Sequence, residues 1–151
     1  MYHSADKRVK SLFKFMEKKV EFFKWKNERN YGGIHTSKKA SIWMDVHEND
    51  IEIGLKTDGK NLSFKEIAIY LNSKGLLNTP LYKGYQLNIM PAPRKKDGVH
   101  VTLKIPITNW DVLSDENLRD DLIIIYTILV LKFKGLVKPR KLREYNKTKG
   151  N

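Results

Sequence analysis

A chain of 151 residues in which 40% of side chains are hydrophobic has the length of one domain and enough apolar material for one core. It has no cysteine, which excludes disulfides and thiolate metal sites, and its formal net charge of +12 favours polyanionic partners. Its longest apolar run, residues 122–131, falls short of the roughly 20 residues of a bilayer span, and the N-terminal MYHSADKRVK lacks the apolar stretch of a secretory signal, so a cytoplasmic protein with no membrane contact is expected.

From residue 5 to residue 30, Val9, Leu12, Phe13, Met16, Val20 and Phe23 recur at intervals of three and four, which predicts one long amphipathic helix. Its other side carries Lys7, Arg8, Lys10, Lys14, Lys18 and Lys24. Phe15, Phe22 and Trp25 widen the apolar stripe beyond one contact surface and form a candidate anchor cluster for a protein partner. Residues 30–39, NYGGIHTSKK, read as a loop from Gly32-Gly33 and their polar make-up, without the lysine-serine/threonine ending of a phosphate-binding loop.

Residues 40–47 and 51–57 alternate apolar and polar side chains around Glu48-Asn49-Asp50, which predicts a β-hairpin. Ile42, Met44 and Val46 share its inner face with Ile51, Ile53 and Leu55, leaving Trp43, Asp45, His47, Glu52 and Lys56 on the other. Ser63 and Glu66 then have the spacing of a capping box for a short helix to about Lys74, with Phe64, Ile67, Ala68 and Leu71 as its inner stripe. The words FKEIAIYLNSKGLLNTP, residues 64–80, resemble the first helix and turn of the helix-turn-helix in large serine recombinases. The resemblance stops there, because the following LYKGYQLNIMPAPR alternates Tyr85, Leu87 and Ile89 as a strand does, where that family has a recognition helix.

Residues 85–90 and 99–107 make a second predicted hairpin, with Val99, Val101, Leu103, Ile105 and Ile107 facing inward and His100, Thr102 and Lys104 outward. The run LRDDLIIIYTILVLKF, residues 118–133, is apolar nearly all round and predicts a helix buried from several sides, with Ser114 as its cap and Gly135 as its stop. The expected fold is therefore a single α+β domain over residues 1–137, order α-β-β-α-β-β-α, with the long first helix and the last helix packed on one face of a four-stranded antiparallel sheet. Residues 138–151 follow as a basic, mobile tail. Between residues 132 and 149 eight basic residues face the single acid Glu144, so this end carries more than half of the net charge.

Catalytic motifs are missing. His3, His35, His47 and His100 match no metal-binding spacing, so no metal or cofactor is expected. A restriction-type nuclease core wants one acid, then an acid and a lysine two residues apart on a later strand. Here Asp45 is followed by Glu52 and Lys56, four apart. What remains is a surface: a sheet face with Trp43, His47, Lys56, His100 and Lys104, flanked by Arg94, Lys95 and Lys96 on the second hairpin tip and by Lys138, Arg140, Lys141 and Arg143 in the tail. Bases stack on aromatic rings and phosphates attract lysines, so such a surface points to non-catalytic binding of DNA or RNA. An accessory protein of a phage or mobile element is the expected setting. The alternative is an inhibitor or adaptor that docks a protein partner through Phe15, Phe22 and Trp25; a nucleic-acid-processing enzyme comes third.

Overall fold

The computed structural model describes residues 6–26 and 28–140. Helix α1 spans Lys7–Lys19, capped by the Asp6 carboxylate, which accepts the Arg8 backbone N–H at 2.8 Å, and it buries Val9, Leu12, Phe13 and Met16. The chain then leaves the helix: Val20 is extended and Phe22 takes φ of 70°, turning the backbone into strand β1, Phe23–Trp25, and strand β2, Tyr31–His35. The helix predicted over 5–30 is thus half that length, and half of the loop predicted over 30–39 is strand. Phe23 and Trp25 lie two apart as well as on the helical stripe, and they bury their rings from a strand against Phe13, at ring-centroid distances of 6.1 Å each. Gly32 allows the close pairing, since a Cβ there would lie 2.7 Å from the Lys24 carbonyl oxygen.

Strands β3, Ala40–Val46, and β4, Asp50–Thr57, pair antiparallel with Ile42 opposite Leu55, Met44 opposite Ile53 and Val46 opposite Ile51. Helix α2, Phe64–Ser73, starts on the capping box of Ser63 and Glu66. Its inner stripe is narrower than expected: Ile67 and Leu71 are buried while Phe64 is exposed. Strands β5, Pro80–Tyr82, and β6, Tyr85–Gln86, form a separate small hairpin. Strand β7, Asn88–Pro91, and strand β8, Val99–Pro106, return to the main sheet, and a 3-10 turn at Trp110–Ser114 leads into helix α3, Glu116–Lys132.

The result is an α+β domain whose main sheet has six antiparallel strands in the order β1-β2-β3-β4-β8-β7, rather than the four expected. One face carries Ile34, Ile42, Met44, Ile53, Leu55, Val101 and Leu103, all buried under the helices. Helix α3 crosses it, and the buried Tyr126 hydroxyl donates to the Ile42 carbonyl at 3.2 Å. Helix α2 packs beside the end of α3, where the Tyr70 hydroxyl donates to the Lys132 carbonyl at 2.6 Å. Two expectations for α3 are corrected. Asp115, not Ser114, caps it, and only one side is buried, through Leu122, Ile125, Tyr126 and Leu129, while Leu131 stays 63% exposed. No helix among the described residues is long and apolar enough to cross a membrane.

Candidate nucleic-acid interface

The face of the sheet turned away from the helices is set by strand alternation and register. Across it run three rows of neighbours: Tyr31, Asp45, Glu52 and Lys104; Gly33, Trp43, Gly54, Thr102 and Asn88; and His35, Ser41, Lys56, His100 and Met90. Trp43 stands at the centre between two glycines. A Cβ on Gly33 would lie 2.9 Å from Trp43 Cε3, and one on Gly54 would lie 2.6 Å from Thr102 Cα, so both positions must stay bare. Tyr31 and His35 flank the indole on the β2 side, with ring centroids 5.6 and 6.1 Å away. The indole, the phenol and the imidazole are all half-buried.

Sequence reasoning placed Trp43, Lys56, His100 and Lys104 on this face, and the structure brings them together there. It missed Tyr31 and His35, because Gly32-Gly33 looks like a loop. The signal was the alternation of Tyr31, Gly33 and His35, with glycine where a neighbour's ring needs room. Arg94, Lys95 and Lys96 are exposed on the β7–β8 loop. Lys138 is exposed and Arg140 follows it, but their backbone is not loose: Ser37 N–H donates to the Lys138 carbonyl at 3.0 Å and Arg140 N–H to the His35 carbonyl at 2.8 Å. Lys141 and Arg143 lie outside the described residues. The proposed protein anchors do not share one helix face, since Phe22 and Trp25 lie beyond the end of α1. Trp25 is stacked on Phe13, while Phe15 sits under the Arg119 guanidinium at 4.9 Å.

Beside Trp43 lies a charged cluster. The Lys56 ammonium is ion-paired with Asp45 and, at 3.5 Å, with Glu52, and the Thr102 hydroxyl donates to Glu52 at 2.8 Å. Glu52 and Lys56 are four apart rather than two, yet both spacings put side chains on the same face of a strand, so the three charges meet. Burial pushes the Glu52 carboxyl up, but the Thr102 hydrogen bond and the charges of Lys56, His100 and His47 outweigh it and hold it below its ordinary value. Burial, with the Lys56 charge, depresses His100 below 6.5. Burial does the same to His35, helped by Lys26 and Arg140, so both rings tend to be neutral near pH 7.

His47 is exposed at the rim, its Nδ1 2.8 Å from Asp50 Oδ1. Asp45, His47 and Glu52 offer ligand atoms within 4.8 Å of one another, a donor set that suits a divalent cation. The Lys56 ammonium already occupies the position between the two carboxylates, so a metal ion would have to displace it. No protein-family model, curated protein or solved structure matches the chain. The geometry of the face is what supports a functional reading.

Proposed function

We propose that the protein binds single-stranded nucleic acid, without cleaving it, across the open face of its sheet. The observation that carries this reading is Trp43, held between Gly33 and Gly54 with Tyr31 and His35 beside it on a face that no helix among the described residues covers. Flat rings half-exposed on a sheet give bases a stacking surface, and the exposed Lys39, Lys95 and Lys104 around them supply charge for the backbone. A duplex keeps its bases stacked on one another and offers no ring to Trp43.

A second reading, metal-dependent cleavage of a phosphodiester, is favoured by the meeting of Asp45, Glu52 and Lys56. It ranks below binding because the Lys56 ammonium pairs with both carboxylates that a cation would need and cancels one of their two charges. One experiment separates the two. A fluorescently labelled 12-mer, single-stranded or duplex, is titrated with protein and then incubated with Mg²⁺ or Mn²⁺. Binding of the single strand in preference to duplex, weakened by about 1–3 kcal/mol in Trp43→Ala with the salt slope unchanged, is the expected result. Shortening of the strand that Glu52→Gln abolishes would establish cleavage instead, and no binding of either form at low salt would end both readings.

A further inference from the structure

The open face is not uniform. At the end of the sheet where β3 begins and β4 ends, a cleft of about 280 Å³ is lined by Trp43, His35, Ser41, His100, Lys39 and Lys95, with Lys56, Thr57 and Asp58 completing its wall. We infer that this cleft takes one nucleotide unit of the bound strand, its base against Trp43 between His35 and His100 and its phosphate toward Lys39 and Lys95. The inference rests on the single-strand reading and adds where on the strand's path a base is held and which cations meet its phosphate.

Size sets the unit. Pockets for small ligands begin near 300 Å³, and a cleft of about 280 Å³ that is open on one side holds one base with its sugar rather than two. Charge sets the orientation. Lys56 is committed to Asp45 and Glu52. Asp58, the acid of the cleft, accepts N–H groups of Lys60 at 2.9 Å and Asn61 at 3.2 Å in its own loop, and its carboxylate also feels the charge of Lys95. Lys39 and Lys95 are exposed and form no ion pair among the described residues. The two come from different elements, the β2–β3 turn and the β7–β8 loop, and meet at this cleft.

The backbone of the turn supports a role for its lysines. Lys38 and Lys39 both sit at positive φ, 60° and 52°, where asparagine or glycine is the cheaper residue. Lysine is the costlier choice there, and at position 39 it puts a cation at the cleft. His35, Ser41 and His100 provide neutral polar groups at the edge of a base stacked on Trp43, which suits hydrogen bonding to a base rather than to a second phosphate.

The test uses a 12-mer of deoxythymidine carrying 5-iodouracil at alternate positions, bound to the full chain, irradiated and mapped by mass spectrometry. Crosslinks at Trp43, or at His35 or His100 beside it, are expected. In parallel, Lys39→Asn and Lys95→Gln are combined, asparagine being chosen because it tolerates positive φ. The double variant is expected to flatten the plot of log affinity against log salt by about 0.7, the contribution of one phosphate on a single strand. If the 12-mer binds but crosslinks only outside the cleft, or if the double variant keeps the full salt slope, the cleft is not the nucleotide site although the single-strand reading stands. Failure of the unmodified 12-mer to bind at low salt removes the reading and the inference together.

Discussion

Glycine beside an aromatic ring is the residue-level device of the open face. Gly54 lies between Trp43 on β3 and Thr102 on β8, and a methyl group there would run into the Val101 carbonyl. Neither strand can retreat without breaking the ladder on both sides of β4. Gly54→Ala is therefore expected to cost about 1–3 kcal/mol by overpacking, read as a lower urea midpoint. Ser41→Ala, on the same face but half-exposed, is expected to change stability by less than about 0.5 kcal/mol. Equal effects at the two positions would mean that the sheet can spread at Gly54. Asp45, Glu52 and Lys56 teach a related lesson. Their spacing in sequence looked wrong for a cluster, but period-two geometry makes i+2 and i+4 equivalent in facing, and the register of β3 on β4 brings Asp45 opposite Glu52.

At the scale of elements, α3 holds the core from one side. Leu129 is fully buried and Leu131, two residues on, is 63% exposed. Leu129→Ala is expected to lose on the order of 2–5 kcal/mol and Leu131→Ala close to nothing, measured by denaturant unfolding. A comparable loss at both would mean that a partner covers the outer side of the helix in solution. The apolar run was legible as a helix, but its surroundings were not, because Ile124 and Leu131 continue an apolar pattern that packing does not use. The hairpin β3–β4, strand β8 and the capping box of α2 were legible because alternation and caps are local signals. Strands β1 and β2 were not. Phe22, Phe23 and Trp25 prolong the helical spacing of α1, and what ends the helix is a turn at Phe22 that no glycine or proline announces.

Over the whole molecule, the net charge of +12 divides between the described domain and its C-terminal end. The sequence suggested a boundary at residue 138, but the backbone of Lys138 and Arg140 is hydrogen-bonded to Ser37 and His35, at the edge of the proposed interface. Truncation after Arg140 is expected to leave the melting temperature unchanged. Truncation after Val137 is expected to lower it, since the bonds to residues 35–37 are lost. If Lys141, Arg143, Lys147 and Lys149 touch phosphates, the shorter cut after Arg140 also flattens the salt slope by about 0.7 for each contact removed. An unchanged slope would assign binding to the sheet face alone.

The pairing of β4 with β8 also fixes an order of events during synthesis. Ile51 has Val46 beside it early, but its other neighbour, Ile105, is made only after α2 and the small hairpin have been synthesised. Until then β4 is an open edge, and the apolar underside of the sheet waits longer still, for α3. Long-range pairing of this kind closes slowly, and an unpaired strand over a bare apolar face is what chaperones and other nascent chains bind. Docking of the last helix, rather than any pairing in the first half of the chain, is therefore expected to end that exposure.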